Sequence, residues 1–523
     1  AHRIESEAWK LATTHAQRDN LFKSSGVRWS VLNNLPYWNP IDFIVVDPMH
    51  LLSGMLEWHA RRVWCIDEVS LELKKKKVDV AESLDPEDYF EEDVHNELRY
   101  AEEHLVHNSI DLASLQDELM EIDDEIRGKD EMLNGNPVFT SEDLKLIRRV
   151  ITQAKIPSWL NRPSKTFGDS SDGKVRLADW ITLFTVFLPF AMVELRGSPQ
   201  NELVDMWYHL AMLTELAVEY EVDESNIQCY LYHPTCYRSN LQECHPELAA
   251  TPNQHMAYHL PKQLCSFGPA NFLALWHFEQ INGILQKVAT NNKIKHKTFP
   301  FYLNMNNSQQ HNQNILDDNQ LSKLKTNFSI PVHLYKQVVT VFNQNYQKPR
   351  HEFFAKHKGN FKPFQKIVPT VAKIIHSFKQ SGLTYTDFSN KGSSSITYNV
   401  GSEQRFFGTI TQIFEMVLFE KCCTGERKHK KYTFVCVQRL EKLNPVDELK
   451  NPYPKVCPEL QIQMFYSPPK MDYAQQLRFC DLIIPSQIIF HTATFQHNKE
   501  TFGTQHHTVA VRSLGRSRSG QFQ

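Results

Sequence analysis

The spacing of apolar residues changes near Ile396, and this change constrains the fold class more than any other feature. Before it, long runs such as Val175–Arg196 and Asn201–Tyr220 have apolar side chains every three or four positions, the spacing of packed helices. After it, short runs of β-branched and aromatic residues alternate with prolines and polar turns. The sequence therefore predicts an α+β protein, mostly α, with a small β-rich C-terminal domain.

Length and charge divide the chain further. At 523 residues it exceeds one ordinary core, so we expect several domains. Acidic residues crowd Asp67–Glu131, whereas Lys, Arg and His concentrate in Lys287–Lys431, where we expect a polyanionic partner to bind. The predicted segments are residues 1–66, an acidic flexible insertion at 67–139, a helical block at 140–300, a basic, partly helical linker at 301–394, and the β-rich domain with a disordered basic tail at 395–523.

Cysteine usage and hydropathy exclude two classes of protein. The ten cysteines form no CxxC pair, which argues against a zinc ribbon or a disulfide framework and indicates reduced, intracellular thiols. The most apolar run, Trp180–Leu195, is short for a bilayer-spanning helix and contains Pro189 and Glu194. We interpret it as a buried helix and expect no membrane partner.

The segment Pro252–Lys287 concentrates the candidate chemistry. His255 and His259 are four residues apart, so on a helix they would offer two nitrogens to one metal ion, although ordinary surface or core histidines have the same spacing. Glu279 lies within the apolar run Leu273–Leu285. A carboxylate buried there needs a partner or a cation, whereas one near a helix end is simply solvated.

Asp47 and His50 form a D-x-x-H motif directly after Phe43–Val46, a β-branched run that predicts a strand. Asp is a favoured helix N-cap and Pro is tolerated at the first helical position, so Asp47-Pro48 predicts a helix that continues to Ile66. The motif therefore has a purely structural explanation beside a functional one.

Two further clusters have polar chemistry with open interpretations. The first offers zinc ligands in a C-x3-H-x2-C pattern, with packed thiols as the alternative; it comprises Cys229, His233, Cys236, Cys244 and His245. The second is the basic, aromatic-rich stretch Tyr346–Lys366, which suits phosphate neutralisation and base stacking, or else is a solvated basic face. Its candidate DNA-binding residues are Arg350, Lys356, Lys358, Lys362 and Lys366.

The chain resembles fungal transposases of the CACTA (En/Spm) type over three stretches taken in order: GVRWSVLNNLPYWNPIDFIVVDPMHLLSG, then IPSWLNRPSKTFG with DWITLFTVFLPFAMV, then PNQHMAYHL with FGPANFLALWHFEQINGILQKVATNNK. The resemblance covers about Lys23–Ile66 and Lys145–Lys295, and more loosely the β-rich portion. It implies an RNase H-like DDE core, partly contained in residues 1–66 and interrupted by a large helical insertion whose segment, 140–300, ends on the last RNase H-like helix.

The chemistry implied by the resemblance is DNA strand cleavage and transfer by two Mg²⁺ or Mn²⁺ ions held on two Asp and one Glu. Glu279 matches the last of these carboxylates, and His255 and His259 match half of a structural zinc site. Asp47 and His50 match the family's D-x-x-H, with a supporting role. The implied partners are transposon-end DNA and a second copy of the chain, in the nucleus, with no small-molecule substrate.

The chain also departs from the family pattern. The first two Asp and the CxxC would lie upstream of Ala1, and Gln280 follows Glu279 where relatives usually have Arg. We therefore expect an N-terminally truncated chain with little two-metal activity, because one carboxylate cannot fix two cations. The alternatives are a non-catalytic, host-retained DNA- or chromatin-binding protein and a transposon remnant without function.

Overall fold

The computed structural model describes residues 2–39, 43–66, 138–169, 175–196, 202–275, 278, 327–346, 352–355, 365–388, 392–400, 404–421, 427–469 and 473–515. The chain divides into two compact units. The first unit is formed mainly by residues 1–51 and 215–298, and the second by 52–214 and 299–515. Helices and antiparallel strands together form most of the described chain, so the predicted α+β class is confirmed.

Helices dominate the described residues up to 275. In chain order they are α1 (His2–Leu11), α2 (His15–Ser25), α3 (Pro48–Trp58), α4 (Ser141–Gln153), α5 (Leu177–Thr182), α6 (Leu188–Arg196), α7 (Glu202–Ala217), α8 (Glu224–Cys244), α9 (Pro252–Ala257) and α10 (Leu260–Phe267), followed later by α11 (Val332–Asn345), α12 (Pro445–Glu448), α13 (Tyr453–Val456) and α14 (Tyr473–Arg478). Short 3-10 turns occupy Val31–Asn34, Ala270–Phe272, Pro458–Leu460 and Pro485–Gln487. A π-helical turn extends α3 at His59–Val63, and another joins α5 to α6 at Leu183–Phe187.

The first strand in the described part of the chain begins at residue 327, upstream of the predicted β-rich segment. The described strands are β1 (Asn327–Ser329), β2 (Glu352–Ala355), β3 (Gln365–Val368), β4 (Val371–Ile375), β5 (Ser377–Gln380), β6 (Leu383–Thr386), β7 (Ser395–Val400), β8 (Gln404–Lys421), β9 (Arg427–Arg439), β10 (Glu441–Lys442), β11 (Gln463–Tyr466), β12 (Asp481–Ile483), β13 (Ile488–His497) and β14 (Thr508–Ser513). The main sheet has ten strands in the order β1-β4-β8-β7-β13-β14-β11-β10, with β9 between β8 and β12.

Within the second unit, the helical block packs directly on this sheet. The backbone of Lys155 exchanges hydrogen bonds of 2.8 and 2.9 Å with that of Thr494 on β13. The rings of Phe190 on α6 and Phe495 on β13 stack with centroids 5.9 Å apart. Side chains of α6 and β13 therefore pack against each other, which the difference in their sequence patterns did not indicate.

The apolar run that we interpreted as a buried helix has that role. Among the described residues, one helical stretch, Ala178–Leu195, is long and apolar enough to cross a membrane, and 78% of it is buried inside the protein. Trp180, Phe184 and Phe187 in this run are fully buried, and Phe184 stacks on Trp64 at 5.0 Å. Burial of this kind is typical of a core helix in a soluble protein.

The strand predicted at Phe43–Val46 is wrong. The described backbone at these positions forms no strand, and the side chains of Phe43 and Ile44 are 47% and 60% exposed. A β-branched run becomes a strand only when another strand pairs with it. Here the carbonyl of Ile44 instead accepts a hydrogen bond from the Gln263 side-chain amide, at 3.4 Å. The RNase H-like core therefore stays a prediction.

Candidate functional site

Asp47 caps α3, as its sequence context predicts. Its Oδ1 accepts from the Met49 N–H at 3.1 Å and its Oδ2 from the His50 N–H at 3.2 Å. The ring Nδ1 of His50 also hydrogen-bonds to Oδ2. These contacts satisfy two of the N–H groups that a helix start leaves without partners.

The same carboxylate joins the D-x-x-H motif to the segment that leads to Glu279. The N–H of Leu275 donates to Asp47 Oδ1 at 3.2 Å, across 228 residues of sequence. Gln263 on α10 reaches the neighbouring Ile44 carbonyl. The first unit thus brings together two stretches that sequence analysis singled out separately. Glu279 itself, four residues beyond Leu275, lies outside the described residues.

The hydrogen bonds set the charge and the availability of Asp47. Partial burial alone would raise the pKa of Asp47, but the His50 contact and the N–H groups of Met49, Leu275 and His50 together hold the pKa below its ordinary value. The group is therefore ionised at neutral pH. Each carboxylate oxygen already accepts two donors, which fills the lone-pair sites of the group. This arrangement suits a supporting residue rather than a metal ligand.

His255 and His259 are close together, but not on one continuous helix. α9 ends at Ala257 and α10 begins at Leu260, with His259 as its N-cap. Pro261 explains the interruption, because it has no N–H to donate to a carbonyl of the preceding turn. The predicted single helix is therefore wrong, although the ring Nε2 atoms of the two exposed histidines are 3.0 Å apart.

This spacing is compatible with two states of the histidine pair. Two imidazole nitrogens bound to one tetrahedral zinc ion are about 3.3 Å apart, given Zn–N bonds of about 2.0–2.1 Å. A direct N–H···N hydrogen bond explains 3.0 Å equally well. The pair supplies two of the four ligands that a structural zinc site requires.

The cysteine–histidine cluster is spread along a helix. Cys229 and His233 lie one turn apart on α8, with Sγ and Nε2 3.8 Å from each other. Cys244 is fifteen residues beyond Cys229 on the same helix, a rise of about 22 Å, so the five residues cannot share one metal ion. The Tyr258 hydroxyl donates to the Pro234 carbonyl at 3.2 Å, which ties α8 to the His255–His259 segment.

The structure describes one of the five predicted DNA-binding residues. Arg350, Lys356, Lys358 and Lys362 lie outside the described residues. Lys366 is half-buried on β3, where it pairs with Phe353 of β2 in a parallel ladder.

Sequence reasoning missed a buried network in the second unit. Glu194 accepts from the Arg149 guanidinium and from His497 Nδ1, the latter at 2.5 Å. His497 Nε2 in turn lies 2.8 Å from the Tyr453 hydroxyl. Burial would raise the pKa of Glu194, but its His497 and Arg149 partners hold that pKa below its ordinary value. Burial lowers the pKa of His497, against the opposing effect of Glu194. No local pattern signals this network, because its members are far apart in sequence.

No family model, curated protein or solved structure matches the chain. The CACTA resemblance therefore stays a prediction that rests on the residues themselves.

Proposed function

We propose that the protein is a DNA-binding protein derived from a CACTA-type transposase, acting in the nucleus on transposon-end DNA. The Leu275–Asp47 hydrogen bond is the observation that carries this proposal. The resemblance assigns the D-x-x-H motif and the Glu279 segment to one active site. The hydrogen bond is what such a site requires, since it fixes the start of α3 against the chain four residues before Glu279.

In the proposed site, Asp47 is a positioning residue and Glu279 the metal-binding one. Asp47 has its oxygens occupied by donors from α3 and from Leu275, so it orients the chain without binding a cation. Glu279 would supply a carboxylate oxygen to Mg²⁺ or Mn²⁺, and His255 with His259 would supply two nitrogens to a structural zinc ion. A bound divalent ion supplies activation of the attacking oxygen and stabilisation of the leaving one.

We expect this chain to bind DNA without cleaving it. The RNase H-like site needs three convergent carboxylates, and the 523 residues contain a match to one. Asp47 is not a substitute for a missing one, because four donors already saturate it. This saturation fits the positioning role that we propose for Asp47.

Filter binding over a salt series tests the proposal. The full chain is mixed with a labelled duplex that carries a transposon end, between about 50 and 200 mM salt. We expect affinity to fall steeply with salt, and to fall further after charge reversal at Lys356, Lys358 and Lys362. Absence of binding at the lowest salt would overturn the proposed function.

A cleavage assay separates the binding protein from the enzyme. The same duplex is incubated with the wild-type chain and with Glu279→Ala in Mg²⁺ or Mn²⁺. We expect no nicking by either protein, with equal DNA affinity. Metal-dependent cleavage by the wild type that Glu279→Ala abolishes would show that the chain is a catalyst.

A further inference from the structure

The hairpin of β8 and β9 extends beyond the rest of the main sheet. β4 pairs with β8 only at residues 413–415, β7 pairs with it at 404–409, and β12 pairs with β9 at 435–437. From Met416 and Tyr432 outward, the described part of the chain shows β8 and β9 paired only with each other, as far as Lys421 and Arg427. We call residues 416–421 and 427–432 the ribbon end.

One face of the ribbon end is anchored in the core. Met416, Leu418 and Tyr432 are buried in the hydrophobic cluster that α11 completes. The Tyr432 ring lies 5.0 Å from that of Phe342 and 4.8 Å from that of Tyr346, in edge-to-face contact. Such packing holds the ribbon end in a fixed orientation, so its remaining surface is pre-organised.

The ribbon end is also strongly cationic. Residues 427–431 read Arg-Lys-His-Lys-Lys, with four cations and no acidic residue. Across the ladder, Lys421 pairs with Arg427, while Glu420, paired with Lys428, is the one acid in residues 416–421. Lys430 and Lys431 are exposed, and Lys430 Nζ lies 5.2 Å above the Tyr432 ring. Consecutive strand residues point to opposite faces, so these two lysines present charge on both sides of the ribbon.

We propose that the ribbon end is a contact surface for the phosphate backbone of duplex DNA. Like charges on neighbouring residues repel one another, and a polyanion removes that repulsion while releasing its own counterions. A two-stranded ribbon is also narrow enough to enter a major groove about 12 Å wide. This inference rests on the proposed function and places part of the DNA contact outside the Tyr346–Lys366 stretch.

The test compares two pairs of neutralised lysines in the full chain. Lys430→Gln/Lys431→Gln removes two charges from the ribbon end. The matched control, Lys455→Gln/Lys499→Gln, removes two charges from exposed positions elsewhere in the second unit. Glutamine keeps most of the aliphatic stem, so thermal unfolding should be unchanged in both variants. Duplex DNA affinity is then measured over a salt series.

We expect the ribbon variant to bind about 10- to 60-fold more weakly at 0.1 M salt, with the slope of log affinity against log salt reduced by about 1.8. The control variant should keep the wild-type slope. If both variants bind like wild type, the ribbon inference is overturned while the proposed function stands. If the wild-type chain binds no duplex DNA, the proposed function fails, and this inference fails with it.

Discussion

A carboxylate paired with a histidine occurs in each unit, and the two pairs differ in sequence separation and in the burial of the histidine. Asp47 and His50 are three residues apart at a helix start, with the His50 side chain 62% exposed. Glu194 and His497 are 303 residues apart, with the histidine fully buried and hydrogen-bonded on both ring nitrogens. The same chemical pair is therefore a candidate functional group at the start of α3 and a cross-link in the core of the second unit.

Breaking the buried Glu194–His497 pair should cause the largest loss in the free energy of unfolding. Glu194→Ala leaves the Arg149 guanidinium and the His497 ring without their acceptor inside the second unit. Removing one partner of a buried ion pair costs about 3–5 kcal/mol. Urea unfolding measures the loss. The control, Glu142→Ala, removes an exposed partner of Lys145 and should cost below about 1 kcal/mol. Equal losses in the two variants would show that the Glu194 network does not stabilise the core.

The free energy of unfolding, measured as a function of pH, distinguishes the buried histidines of the second unit from the Asp47 cap without any mutation. Burial lowers the pKa of His491 to about 4 and also lowers that of His497. An unfolded chain takes up these protons from about pH 6.5, while the folded chain does not, so stability is present above that pH and falls below it. Below about pH 6.5, the free energy of unfolding should fall by about 1.4 kcal/mol per pH unit for each such histidine.

The Asp47 cap should resist acid for longer. Its pKa is held below the ordinary value of 3.8, so its contribution is present above about pH 3.8 and is lost only as the pH falls through the lower, folded-state value. Amide hydrogen exchange between pH 7 and 4 should therefore show β13 losing protection before the Met49 and His50 amides do. The reverse order would contradict the assigned pKa directions.

The features that the sequence predicted correctly depend on residues close together in the chain, whereas the contacts that it did not predict join distant residues. The Asp47 cap, α3, α7 and the β8–β9 runs follow from residues within a few positions of one another. The strand at Phe43–Val46 was predicted from propensity alone, without the partner that a strand requires. The Asp47–Leu275 and Glu194–His497 contacts span 228 and 303 residues, and no periodicity specifies which distant donor a carboxylate will accept. Glu279, on which the proposed chemistry depends, lies outside the described residues.

Removing the Asp47 cap tests whether the D-x-x-H motif holds the segment that leads to Glu279. Asp47→Ala removes a helix cap, worth about 0.5–2 kcal/mol, together with the Leu275 hydrogen bond, worth about 0.5–1.5 kcal/mol. Thr140→Ala is the matched control, since Thr140 caps α4 through a capping box and, within the described part of the chain, its side chain makes only that local contact. Hydrogen exchange at the Leu275 amide should accelerate in Asp47→Ala alone. Unchanged exchange there would separate the D-x-x-H motif from the Glu279 segment.

The smallest expected effect on stability concerns the exposed histidine pair. His255→Ala/His259→Ala should change the free energy of unfolding by less than about 0.5 kcal/mol, because both side chains are exposed. If the pair is half of a zinc site, zinc retained by the purified full chain should fall in this variant. It should stay constant in His15→Ala, whose histidine is exposed beside Asp19. Zinc content that does not change would leave the 3.0 Å contact as a hydrogen bond, because zinc is held only where deprotonated ring nitrogens converge on it.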